Sequence, residues 1–170
     1  MKNWVKILLF CVSSIIFIGC DRITKNLAKE HLMYHEPISY LHNTITLEYA
    51  ENTGAALSLG DQLPKPVSFW LLSVFPLAFL LLLSGYVIRK IADFNTLKVL
   101  SFSLIVAGGL GNIIDRILFD RHVTDFMNVG INNIRTGIFN VADMCVTAGV
   151  ICLLFSFREK KSEPEAQEIN

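Results

Sequence analysis

Hydrophobic residues fall in long uninterrupted blocks along this chain instead of alternating with polar ones. Asp, Glu, Lys and Arg are absent from Ile7 to Cys20 and from Val67 to Ile88. The second block fills a bilayer at a helical rise of about 1.5 Å per residue. The first is short enough to be the apolar core of a signal peptide, and by itself it is ambiguous. Val99 to Ile114 is a third block, and Ile138 to Phe157 is a fourth with one intruder, Asp143. The pattern predicts four membrane-spanning helices, at about 5–28, 67–88, 99–116 and 138–157, in a single membrane domain over residues 1–157.

Two polar segments separate these spans. In the first, about 41–60, the run from Asn43 to Tyr49 alternates, with Ile45, Leu47 and Tyr49 on one face. A small amphipathic sheet resting on the membrane surface would suit that pattern. The second, Ile117 to Thr136, reads as a short outer connection. The expected class is therefore an all-α membrane protein carrying one small outer sheet. Residues 158–170 end in charged, Pro-containing sequence that predicts a disordered tail.

Basic residues set the orientation. Lys2 and Lys6 precede the first block, Arg89, Lys90 and Lys98 fill the connection between the second and third, and Arg158, Lys160 and Lys161 follow the fourth. All belong on the cytoplasmic side, which places both termini there and requires an even number of spans. The first helix must then be retained, although Gly19-Cys20 looks like the end of a lipoprotein signal. Phe17 is bulky where such a signal usually has Leu.

Composition adds exclusions. Fifteen basic residues balance fifteen acidic ones among 170, and no basic stripe appears, which argues against a nucleic-acid partner. Cys11, Cys20, Cys145 and Cys152 all lie in apolar blocks without metal-ligand spacing and read as small hydrophobes. No metal or cofactor is expected.

The unusual polar residues collect at the outer ends of the spans. Asp21 and Lys25, four apart on the first helix, could be an ordinary interfacial ion pair. Gly108, Asn112 and Arg116 share one stripe of the third helix, with Asp115 beside it. Glycine there permits close helix packing. Asp143 sits inside the fourth block, where a lone carboxylate is unfavourable by about 2.5–3.5 kcal/mol, with Asn140 three residues before it on the same face. Asp125 is a loop acid flanked by Val123 and Phe126, readable as a solvated charge or as a group pressed against the bilayer edge. Asn52 lies at the same level. A cluster at one surface suits an active site better than a permeation path, which needs polar groups at successive depths. A small transporter or channel component and a structural subunit with an Asp143–Arg116 pair are the alternatives. With carboxylates the available catalytic groups, two brought together would share a proton, one polarising a carbonyl and the other taking a proton from water.

These residues resemble the lipoprotein signal peptidases (signal peptidase II) along nearly the whole chain. DRITK matches the family's Asp-x-x-Thr/Ser-Lys block at Asp21 and Lys25, and NTGAA its Asn-x-Gly-x-Ala block at Asn52 and Gly54. GGLGNIIDR carries Gly108, Asn112, Asp115 and Arg116, while VTDF and FNVAD carry Asp125, Asn140 and Asp143. The resemblance implies that Asp125 and Asp143 are catalytic. It also implies that Asn52, Gly54, Gly108, Asn112, Arg116 and Asn140 bind substrate or support the pair, and that Asp21, Lys25 and Asp115 are structural. The implied substrate is a diacylglyceryl-modified prolipoprotein at the outer face of a bacterial cytoplasmic membrane, cut on the amino side of the lipidated cysteine. Contact with membrane lipid and inhibition by globomycin are implied as well. Leu57 departs from the family, which often has an aromatic residue there.

Overall fold

The structure is a computed structural model that describes residues 1–55 and 59–158. The predicted tail from residue 159 onward and Leu57 lie outside the described residues. Helix α1 spans Asn3–His31, and strands β1 (Ile38–Tyr40) and β2 (Ile45–Asn52) follow. Helix α2 covers Lys65–Arg89, helix α3 covers Thr96–Leu118, and strands β3 (Val123–Ile131) and β4 (Ile134–Arg135) precede helix α4 (Val141–Arg158).

Helices α1, α2 and α3 are long and apolar enough to cross a membrane, and α4 is a shorter apolar helix. Their outward faces are apolar, with Ile15, Ile16, Leu81, Leu82, Leu154 and Phe155 exposed. Inside, Phe10 of α1 packs with Leu80 and Val87 of α2 and Val99, Phe102 and Val106 of α3. Helix α2 is not regular. Pro76 lacks an N–H and its ring crowds the carbonyl one turn earlier, and Trp70–Val74 just before it forms a π turn.

At the end of the bundle opposite the sheet, Lys6 is buried. Its ammonium donates to the carbonyls of Ile91 (3.2 Å), Ala92 (3.2 Å) and Phe94 (2.6 Å). A residue that reads in sequence as a topogenic charge thus also closes the turn between α2 and α3 onto α1.

The sheet differs from expectation. It is four-stranded and antiparallel in the order β1-β2-β3-β4, so the connection between α3 and α4, expected as a short link, supplies two strands. Val123, Thr124, Asp125 and Phe126 are buried in succession, and a strand covered on both faces has no alternation to reveal it. Ala28 and Leu32 at the end of α1 pack with Phe126, Leu47 and Tyr49, which fixes the sheet to the helices. Between Leu47 and Ala50 the register slips by a bulge, after which Ala50 opposes Asp125 and Asn52 opposes Val123.

Candidate active site

The start of α4 is built by the sequence Asn140-Val-Ala-Asp143. The Asp143 backbone N–H donates to Asn140 Oδ1 (3.0 Å), and the Asn140 backbone N–H donates to Asp143 Oδ2 (3.1 Å). This reciprocal pair is a capping box, and it places the Asp143 carboxylate in the first turn of the helix, where free N–H groups and the helix dipole favour negative charge. The N–H of Ala142, also in that turn, donates to Asp21 Oδ1 from α1 (2.8 Å). Helix α4 begins at Val141, three residues later than the hydropathy pattern suggests, because Phe139 bridges to Met127 of the sheet. Asp143 therefore lies nearer the N-terminal end of its helix than the sequence implies.

Asp125 enters from β3. It is 3% exposed. Its Oδ2 accepts from Asn52 Nδ2 (3.1 Å), and its Oδ1 accepts from Asn140 Nδ2 (2.6 Å). Asn140, fully buried, thus bonds both carboxylates, through its side chain to Asp125 and through its backbone to Asp143. Burial pushes the Asp125 carboxyl up to about 6, the neighbouring Asp143 charge adds to the rise, and the amides of Asn52 and Asn140 oppose it.

Asn112 of α3 completes the set by donating from Nδ2 to Asp143 Oδ1 (2.8 Å). Its own Oδ1 accepts from Lys25 Nζ (3.0 Å) and Asn140 Nδ2 (3.1 Å). Lys25 also pairs with Asp21 Oδ2 (2.8 Å) and Asp115 Oδ2 (2.9 Å). Asp115 turns away from the other two carboxylates toward Lys25 and Arg22, whose Nη2 lies 2.5 Å from Asp115 Oδ1. Arg22 is missing from the sequence-level candidates; its only signal is a guanidinium one residue beyond Asp21, just after the charge-free run Ile7 to Cys20. Phe119 adds a platform, with Arg22 and Lys29 both over its ring.

The remaining candidates act at the edge of this cluster. Arg116 bonds neither carboxylate but donates from Nη2 to Gly54 O (2.7 Å), and the Gly54 N–H donates to Asn52 Oδ1 (2.9 Å). Arg116 thereby holds the loop that aims Asn52 at Asp125. Gly108 touches no carboxylate. A Cβ there would sit 2.2 Å from the Ala142 carbonyl oxygen, and one at Gly111 would sit 2.7 Å from Asp21 Oδ2. Both glycines let α1, α3 and the start of α4 converge.

Among the described residues no group of three or more His, Cys, Asp or Glu could hold a metal ion. Two carboxylates are tied together through one asparagine at one end of a bundle of apolar helices, an arrangement able to carry acid–base hydrolysis of the aspartic type. Comparison with known proteins gives the family. The family model described as signal peptidase (SPase) II matches residues 13–158. The lipoprotein signal peptidase of Desulforapulum autotrophicum is 35% identical over 148 residues, covering 85% of this chain and 88% of that protein. That of Hydrogenovibrio crunogenus is 36% identical over 146 residues, covering 84% and 81%. A bacterial membrane enzyme solved by the in meso method at 2.3 Å superposes with a TM-score of 0.78 at 25% identity, covering 95% of this chain and 94% of that one. The chain belongs to the signal peptidase II family of aspartic peptidases.

Proposed function

We propose that this chain removes the signal peptide from diacylglyceryl-modified prolipoproteins, cutting on the amino side of the lipidated cysteine, with Asp125 and Asp143 as the catalytic pair. The observation that carries the reading is Asn140, which donates to both carboxylates at once. In the reactive form the pair carries one proton between them: Asp143, at a helix N-terminus, is placed to act as the base, and Asp125, buried beside it, to act as the acid. Water lying between them gives a proton to Asp143 while its oxygen attacks the scissile carbonyl, and Asp125 gives its proton to the carbonyl oxygen. Collapse of the tetrahedral intermediate breaks the C–N bond, the proton on Asp143 passes to the leaving nitrogen, and Asp125 recovers its own. The pair thus ends as it began.

The four apolar helices form one membrane domain over residues 1–157 with both termini cytoplasmic, the site at the outer surface and the sheet lying on the membrane there. The basic residues Lys2, Lys6, Arg89, Lys90 and Lys98 lie at the helix ends opposite the carboxylates, which supports this orientation. Helix α4, with 18 residues, is about 27 Å long, close to the hydrocarbon thickness of about 30 Å. A diacylglyceryl group held in the outer leaflet would present its peptide bond at this level, and the signal helix would lie on the apolar outer faces. Globomycin would compete for the same position. The test is incubation of purified protein with a diacylglyceryl-modified precursor and with the same precursor unmodified. Release of the signal peptide from the modified one alone is expected; cleavage of both, or of neither, contradicts the proposal.

A further inference from the structure

We propose that Lys25, beyond holding helices together, is a positioning residue for the reaction: its ammonium fixes the side-chain amide of Asn112 so that the NH2 group donates to Asp143. The inference rests on the reading of Asp125 and Asp143 as the catalytic pair. An ammonium has three donors and no acceptor. Those of Lys25, which is 1% exposed, meet Asp21 Oδ2, Asp115 Oδ2 and Asn112 Oδ1 at 2.8, 2.9 and 3.0 Å. The amide of Asn112 has one accepting side and one donating side. With its oxygen held toward the lysine, Nδ2 has to face Asp143 Oδ1, as observed at 2.8 Å.

The opposite orientation would turn an oxygen onto the carboxylate of Asp143 and an NH2 onto the ammonium of Lys25. It would also set Nδ2 against Asn140 Nδ2, which now donates to Asn112 Oδ1. With Asn112 reversed, Asp143 could keep its hydrogen bond only by carrying a proton itself, and it would stop being the base. Lys25 therefore enforces the division of labour within the pair without touching either member. The charged and titratable groups around this chain of contacts are Asp21 and Arg22 on α1, Asp115 and Arg116 on α3, Asp125 on β3, and Asp143 with Cys145 on α4. From β2, Asn52, which bonds Asp125, is neutral.

The test compares kcat, KM and the pH profile, per folded molecule, on a diacylglyceryl-modified precursor. The variants are Lys25→Met, the charge-balanced Lys25→Met/Asp115→Asn, and each of these combined with Asn112→Ala. The charge-balanced variant keeps the test open if the single one does not fold, since it removes the buried ion pair together. For whichever folds, a kcat loss of at least about tenfold with KM within about twofold is expected, the acid limb of the profile moving up by about one pH unit. Adding Asn112→Ala should then lower kcat by less than about twofold and leave the limb where it is. A lowered melting temperature with an unchanged limb and kcat would mean that Lys25 is structural only and would overturn the inference. So would effects of Lys25 and Asn112 that multiply. Asp143→Asn run in parallel separates the two levels: if it still cleaves, the catalytic pair itself is wrong, whereas an inactive Asp143→Asn beside a normal Lys25→Met removes only the role of Lys25.

Discussion

Replacing Asp125 by Asn should stabilise the protein at neutral pH, and the gain should depend on pH in one direction. The carboxyl of Asp125 rises from 3.8 to about 6 on folding, chiefly through burial. Between those values the folded state binds more protons than the unfolded state, so this residue's favourable contribution is complete below about pH 4 and is lost as pH rises through about 6. Two pH units at 1.36 kcal/mol each give about 3 kcal/mol. Asn cannot ionise and escapes that loss, but it presents one accepting oxygen where Asp125 offers two, to Asn52 and Asn140. One amide donor is then left facing an NH2, which costs about 1–2 kcal/mol at every pH. Asp125→Asn should therefore be less stable than the parent at pH 4 by about 1–2 kcal/mol and more stable at pH 8 by about the same amount, the difference of about 3 kcal/mol being independent of the amide penalty. Unfolding in detergent, followed by far-ultraviolet circular dichroism at pH 4 and at pH 8, measures both values. An offset between variant and parent that stays constant from pH 4 to pH 8 would refute the reasoning.

Other consequences concern packing and processing. Gly108→Ala should lower stability by about 1–3 kcal/mol and reduce turnover, because its methyl meets the Ala142 carbonyl at 2.2 Å and Val146 Cγ2 at 2.8 Å, displacing the start of α4; an unchanged melting temperature would contradict this. Lys6→Met removes a charged donor from three carbonyls and should cost about 2–3 kcal/mol of stability while kcat per folded molecule stays the same, as melting and kinetics together would show. Cys20 is exposed on α1 between buried residues on either side, Phe10, Ser13 and Ser14 before it and Asp21 and Lys25 after it, so intact mass should include residues 1–19 and no acyl chains. A mass lacking them would end the reading of α1 as a retained helix.

Hydropathy makes the helices legible because lipid-facing and core-facing positions are both apolar, but for the same reason it places their ends poorly. The start of α4 is set by the Asn140–Asp143 capping box, whose spacing is visible in the sequence, while the blocks alone extend the helix back to Ile138. Strand β3 is not legible, since Val123 to Phe126 are buried in succession and lack the period of two that marks Ile45, Leu47 and Tyr49. Asp125 accordingly reads as a loop acid, whereas it lies in an inner strand of the sheet. The cluster of candidate residues at one level follows from topology and depth. Its wiring does not, because Asn140 to Asp125, Lys25 to Asn112 and Arg22 to Asp115 are contacts between elements far apart in the chain. Two contacts in particular are invisible in the sequence: Lys25 reaches the amide beside Asp143, and Arg116 bonds the Gly54 carbonyl.

The most direct test of the catalytic pair is cleavage of a diacylglyceryl-modified precursor by purified, folded Asp125→Asn, Asp143→Asn and the double variant, each shown to bind the precursor. Asn nearly matches Asp in shape but can neither hold nor accept the shared proton. Each single variant is therefore predicted to lose cleavage while retaining binding, with the double variant scarcely worse than either because the two residues act as a unit. Near-normal turnover by either single variant, or losses that multiply in the double, would contradict the assignment.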